Sequence, residues 1–124
     1  LDRAKVVPAV NQVEFTPYLY QKELLEFCKK NKIQVEAYSP LTRGKKLKDT
    51  KLVEIAKKYD KSSAQILIRW ALQRDVVVIP KSKTKERIIE NIDVFNFTIK
   101  PDDMKKLDNL NQDLRLCWDP TNVD

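Results

Sequence analysis

The sequence predicts an α/β fold, a parallel sheet of about three strands with flanking helices, in a single domain spanning residues 1–124. Three observations carry this. Short runs of β-branched and aromatic residues alternate along the chain with stretches whose apolar residues recur at helical spacing, the order expected of right-handed β-α-β crossovers. One helical stretch, Ala64 to Leu72, is apolar nearly all round and has to pack against a sheet. The length of 124 residues suits one ordinary domain with a real core and is too short for two.

Taken in order, the first strand is expected over Val6 to Phe15, with Pro8 marking an exposed start and Pro17 closing it. Tyr20 to Lys30 reads as an amphipathic helix, with Leu24, Leu25, Phe27 and Cys28 on its apolar side and lysines in its last turn. Ile33 to Tyr38 is a second strand, ending in Ser39 and Pro40. Leu52, Ile55, Ala56 and Tyr59 give a helix from about Thr50, and Ser62 with Gln65 three residues on is a capping-box signature that opens the helix to about Arg74. Val76 to Ile79 is a third strand, buried by its composition and stopped by Pro80. Thr84 is placed to cap a helix over Lys85 to Asn91. Pro101 at a first helical position, followed by Asp102 and Asp103, starts a last helix that buries Met104, Leu107 and Leu110. The tail after Asp113 has no clear period.

Composition narrows the chemistry. Hydrophobic residues make up 42% and charged residues 34%, and no run approaches the roughly 18 to 20 apolar residues that span a bilayer. No signal-peptide pattern opens the chain, and a cytoplasmic, membrane-free protein is expected. It begins at Leu1 without a methionine and is read as a piece of something longer. Cys28 and Cys117 are too few and too far apart for a disulfide framework or a metal site, so both are expected as thiols. The absence of histidine from the 124 residues removes a catalytic imidazole and the usual zinc or iron sites. The net charge of +6 is concentrated in two loops, one with Arg43, Lys45, Lys46 and Lys48, the other with Lys81, Lys83, Lys85 and Arg87. In a parallel sheet both loops follow a strand and open at one end, where ligands bind.

The second of these loops carries the sharper signal. Between Ile79 and Asn91, ammonium, hydroxyl and guanidinium groups crowd the passage from strand to helix, which is chemistry for a phosphate: N-H groups at a helix start, a point charge, a hydroxyl and a forked donor. A solvated basic loop is the plainer reading of the same residues.

Three strand ends, Asn11-Gln12-Val13-Glu14, Ala37-Tyr38-Ser39-Pro40-Leu41, and Ile79-Pro80-Lys81-Ser82 with Arg87, Glu90 and Asn91, together resemble the aldo-keto reductases from Val6 to about Asn111. The resemblance implies a partial (β/α)8 TIM barrel, the C-terminal part with its sixth, seventh and eighth strands, and NADPH (or NADP) as cofactor for carbonyl reduction. It further implies that Gln12 bonds the nicotinamide carboxamide, Tyr38 stacks on the nicotinamide and Leu41 lines the pyrophosphate path. Lys81, Ser82 and Arg87 would hold the adenosine 2′-phosphate, with Glu90 and Asn91 at the adenine. Thr16 stands where the family commonly has histidine, and Thr42 where it usually has glycine, which takes freedom from the backbone. The family's catalytic aspartate, tyrosine, lysine and histidine belong to the N-terminal half of the barrel, so a truncated, inactive chain is expected.

Two other readings stand beside this one. Three strands cut from a barrel expose two edges and an apolar face, so a homo-oligomer is expected through those edges. A nucleic-acid module using the basic face lacks a groove-reading helix or aromatic platform, and no specific nucleic acid is expected. Gln12 and Glu14 can also be read as polar residues facing water, and Tyr38 as an ordinary core-edge aromatic. Trp70 is expected in the core, and Trp118 is a candidate for a loop that shapes the family's substrate pocket. Tyr18, Tyr20 and Tyr59 lack the lysine and histidine setting that makes a phenol a general acid.

Overall fold

In the computed structural model, which describes residues 1 and 4–121, three parallel strands stand in the order β1 (Val10–Glu14), β2 (Gln34–Tyr38) and β3 (Val77–Val78). The helices are α1 (Lys22–Lys30), α2 (Thr50–Lys58), α3 (Ser63–Leu72), α4 (Lys85–Ile92) and α5 (Pro101–Asp108). The expected α/β architecture and element order are therefore present. Val10 pairs with Gln34 and Glu14 with Tyr38, while Glu36 and Ala37 pair with Val77 and Val78.

The strands are shorter than the residue types suggest. β1 begins only at Val10, because Pro8 has no N-H to give a ladder, and Val6 and Val7 lie exposed. It ends at Glu14, where Thr16 Oγ1 accepts from the N-H groups of Tyr18 and Leu19, both at 3.2 Å, and turns the chain. β3 is a two-residue strand flanked by the buried Val76. One further bond, Ile79 N to Ala37 O at 3.2 Å, precedes Pro80.

Side-chain alternation separates two faces. Val13, Val35, Ala37 and Val78 pack with the helices in one core, and Asn11 reaches the Cys28 thiol of α1. Val10, Gln12, Gln34, Glu36, Tyr38 and Val77 are of the opposite parity and are exposed or half-buried. That face is mixed rather than apolar, a correction to the expectation, because glutamine, glutamate and tyrosine alternate into it.

α3 is the centre of the core. Its N-terminus carries the expected capping box: Ser62 Oγ accepts from Gln65 N at 3.2 Å and Gln65 Oε1 from Ser62 N at 3.0 Å. The same Gln65 donates through Nε2 to the carbonyls of Glu90 and Asp93, at 3.1 and 3.0 Å, and so fastens the end of α4. Trp70 is fully buried, stacked on Phe15 with ring centroids 5.1 Å apart and edge-on to Tyr20. Its Nε1-H donates to Asp108 at 2.8 Å, and Arg74 grips the same carboxylate with its guanidinium over the Tyr20 ring. In α1 the buried side is Leu25 and Cys28, whereas Phe27 is half exposed, contrary to the expected apolar face.

α5 is locked by a single carboxylate. Asp103 accepts from Lys58 Nζ at 2.8 Å, Tyr59 Oη at 2.9 Å and Lys106 Nζ at 3.2 Å. The Lys58 bond above all, with those of Tyr59 and Lys106 against the opposing effect of burial, lowers the Asp103 carboxyl to about 2. A carboxyl lowered on folding stabilises above its unfolded value near 4 and loses that contribution as pH falls toward about 2. Asp103→Asn is expected to cost about 2 kcal/mol at neutral pH and correspondingly less near pH 2. Urea unfolding of both proteins across that range checks this, and a pH-independent difference contradicts it.

Candidate functional site

Because the strands are parallel, their C-terminal ends open together. On the mixed face the last row pairs Glu14 with Tyr38, and the row beneath it pairs Gln12 with Glu36. Gln12 Nε2 donates to Glu36 Oε1 at 2.5 Å. Glu14, for which a side chain facing water is one reading of the sequence, is buried. Its carboxylate accepts from Leu116 N at 2.9 Å and from Cys117 N at 3.1 Å. These bonds draw the tail across the end of β1. Ser39 meets the Cys117 thiol at 3.5 Å, and Arg43 donates to Leu116 O at 3.3 Å. Tyr38 is half-buried beside this tail. Burial chiefly, then the negative charges of Cys117 (when ionised) and Glu14, raise its phenol above the ordinary value against the lowering effect of Arg115.

The turn after β2 is conformationally costly. Ser39 has φ 49°, and Thr42, Arg43 and Gly44 are consecutively left-handed at φ 54°, 51° and 81°. A β-branched residue there is strained, which fits the glycine expected at the Thr42 position. Thr42 is held by its hydroxyl, which donates to Leu41 O at 2.7 Å and accepts from Lys46 N at 3.1 Å. Leu41 beside it is half-buried against the core.

The passage from β3 to α4 is arranged differently. Ser82 Oγ accepts from Asn91 Nδ2 at 2.8 Å, which leaves the serine proton to donate elsewhere. Thr84 sits at the N-cap of α4 but makes no side-chain capping bond, a correction to its expected role, so the first-turn N-H groups have no side-chain partner from it. Asn91 is buried, and the Glu90 carboxylate accepts from the Ser62 hydroxyl. Lys81, Lys83, Lys85 and Arg87 are exposed and join no ion pair among the described residues.

The two basic clusters differ in part, since Lys45 and Lys48 of the first are exposed and also join no ion pair among the described residues. In the first, Arg43 is spent on the tail carbonyl, and Lys46 lies 5.1 Å from the Tyr18 ring centroid and 3.4 Å from the Gln112 amide oxygen. In the second the cations are uncommitted. The structure brings Gln12 and Tyr38 onto one face at one end of the sheet, and puts Lys81, Ser82 and Arg87 on the loop and helix that follow the neighbouring strand at that end. Glu36 escaped notice in the sequence, although its place two residues before Tyr38 put it on the same face. No group of His, Cys, Asp or Glu among the described residues could hold a metal ion.

Residues 1–112 match the model of the aldo/keto reductase family. The chain belongs to the aldo/keto reductase family. It is 51% identical over 120 residues to a glyoxal reductase of Bacillus subtilis, covering 97% of this chain and 44% of the relative. A 9,11-endoperoxide prostaglandin H2 reductase of Trypanosoma cruzi is 47% identical over 121 residues, 95% of this chain and 43% of the relative. Among solved structures, an aldo-keto reductase from a Medee basin deep-sea metagenome library superposes with a TM-score of 0.93 at 45% identity. That match covers 99% of this chain and 46% of the other. A mutant of Gox0644 in complex with NADPH superposes with a TM-score of 0.92 at 40% identity, over 99% and 46%. The three parallel strands and five helices therefore match part of the barrel of an aldo/keto reductase, and the chain spans less than half the length of the relatives it matches.

Proposed function

We propose that this chain is the C-terminal part of an aldo/keto reductase barrel, its sixth to eighth strands, and that it holds NADPH. The observation that carries this is the half-buried Ser82, whose oxygen accepts from Asn91 and whose proton is left to donate, on the same loop and helix as the exposed, unpaired Lys81 and Arg87. Those groups have the chemistry for the adenosine 2′-phosphate: an ammonium, a forked guanidinium, a free hydroxyl proton and the start of α4 without a side-chain cap are the donors a dianion takes. Gln12 and Tyr38 would hold the nicotinamide end, Leu41 the pyrophosphate path, and Glu90 and Asn91 the adenine. The NADPH of the Gox0644 complex and the carbonyl substrate in the name of the glyoxal reductase support this reading.

When bound, NADPH supplies a hydride to a carbonyl carbon. The carbonyl oxygen then needs a proton, and among the described residues no tyrosine is prepared to give one near neutrality. All four tyrosines, Tyr18, Tyr20, Tyr38 and Tyr59, are raised above the ordinary phenol value, in each case chiefly by burial. The 124 residues on their own are therefore proposed to bind cofactor without turning it over.

Titration with NADPH and NADH, followed by calorimetry, tests both parts. NADPH is expected to bind at least about tenfold tighter, and Lys81→Ala or Arg87→Ala to lose about that factor for NADPH while leaving NADH unchanged. Equal affinities overturn the phosphate assignment. Carbonyl-dependent NADPH oxidation abolished by Tyr38→Ala overturns the proposed inactivity.

The free edge of β3 favours a second property. A groove of about 440 Å³ runs along it, lined by Ile68, Leu72, Val77, Ile92 and Phe95 among others, and Ile88 and Ile89 lie exposed on α4 nearby. We propose that this apolar edge associates with a second copy of the chain. Light scattering at micromolar concentration is expected to give a mass above 14.6 kDa, and a monomeric mass contradicts it.

A further inference from the structure

The pair formed by Gln12 and Glu36 does more than decorate the sheet. The two residues are register partners on adjacent strands, with Gln12 Nε2 2.5 Å from Glu36 Oε1. An ionised carboxylate has no proton to offer and accepts only, whereas a glutamine amide can present either its NH2 or its oxygen. Glu36 therefore selects the NH2 end of Gln12 and turns the amide oxygen away from β2. Among the described residues, nothing donates to that oxygen. In the row above, the Glu14 carboxylate is occupied by the N-H groups of Leu116 and Cys117. Gln12 Oε1 is thus an acceptor with no protein partner among the described residues, one row beneath Tyr38 on the same face.

We infer that Glu36 is a positioning residue that makes Gln12 a one-way reader of a ligand N-H group, here the NH2 of the nicotinamide carboxamide. This rests on the NADPH reading above and adds to it the direction of the contact and the residue that enforces it. Without Glu36 the amide can turn either end toward the ligand and no longer distinguishes a donor from a group that lacks one.

Three ligands separate this role from a purely structural cross-strand pair: NADP+, its 3-acetylpyridine analogue, in which a methyl replaces the carboxamide NH2, and adenosine 2′,5′-bisphosphate, which lacks the nicotinamide. Calorimetry on the wild-type chain is expected to show NADP+ binding about five- to tenfold tighter than the analogue. In Glu36→Leu that ratio is expected to fall to about one while the affinity for adenosine 2′,5′-bisphosphate stays unchanged. Glu36→Gln, whose amide can pair with Gln12 either way round, is expected to fall between, and it serves as the second variant should Glu36→Leu fold poorly. An unchanged ratio in both variants overturns the role of Glu36 and leaves the phosphate site standing. Failure of the wild-type chain to bind adenosine 2′,5′-bisphosphate more tightly than adenosine 5′-phosphate overturns the underlying reading and this inference with it.

Discussion

Parallel pairing of β1, β2 and β3 is the constraint on which the rest of the molecule depends. Parallel strands require crossovers, and α1 and the α2-α3 pair supply them while covering one face. The same pairing delivers every strand's C-terminal end to one side of the sheet, so Gln12 and Tyr38 share a face and the loop that carries Ser82 opens at the same end. A slip of one residue in the β1-β2 register would turn Gln12 and Glu14 into the core and bring Asn11 and Val13 to the open face.

Polar side chains with two tasks hold the open end in shape. Gln65 completes the cap of α3 and closes α4. Asn91, buried at the end of α4, orients Ser82 on the loop before it. Glu14 ends β1 and retains the tail. Each is buried with its hydrogen bonds made, so losing one partner would leave the other desolvated and alone. The strained turn at Thr42 and Arg43 persists because Pro40 and Thr42 are buried on either side of Leu41 and because the Thr42 hydroxyl is bonded at both ends of the turn.

What could be read from the sequence was mostly local. Ser62 and Gln65 form a cap whose partners are three residues apart, and Pro101 with its following aspartates marks a helix start without help from elsewhere. Val6 and Val7 have strand-forming side chains, yet no neighbouring strand reaches them, and β-propensity without a partner makes no strand. Phe27 obeyed the helical period but fell at the edge of the buried stripe. Thr84 had the right chemistry for a cap, and its hydroxyl is not used as one. The tie between Glu14 and the tail spans 102 positions and left no trace that a single sequence could show. The proposed cofactor residues are legible as a family pattern and as an anion-binding composition, whereas the pairing of Gln12 with Glu36 required the strand register.

The central claim is that the uncommitted cations at the start of α4 bind a phosphate on an adenosine ribose. Backbone amide chemical shifts of the 15N-labelled chain, followed while adenosine 2′,5′-bisphosphate is added, test it most directly. The account predicts saturable shifts concentrated between Lys81 and Glu90, absent with adenosine 5′-phosphate at the same concentration. Shifts of equal size in the Arg43 to Lys48 loop, or none near α4, would contradict it.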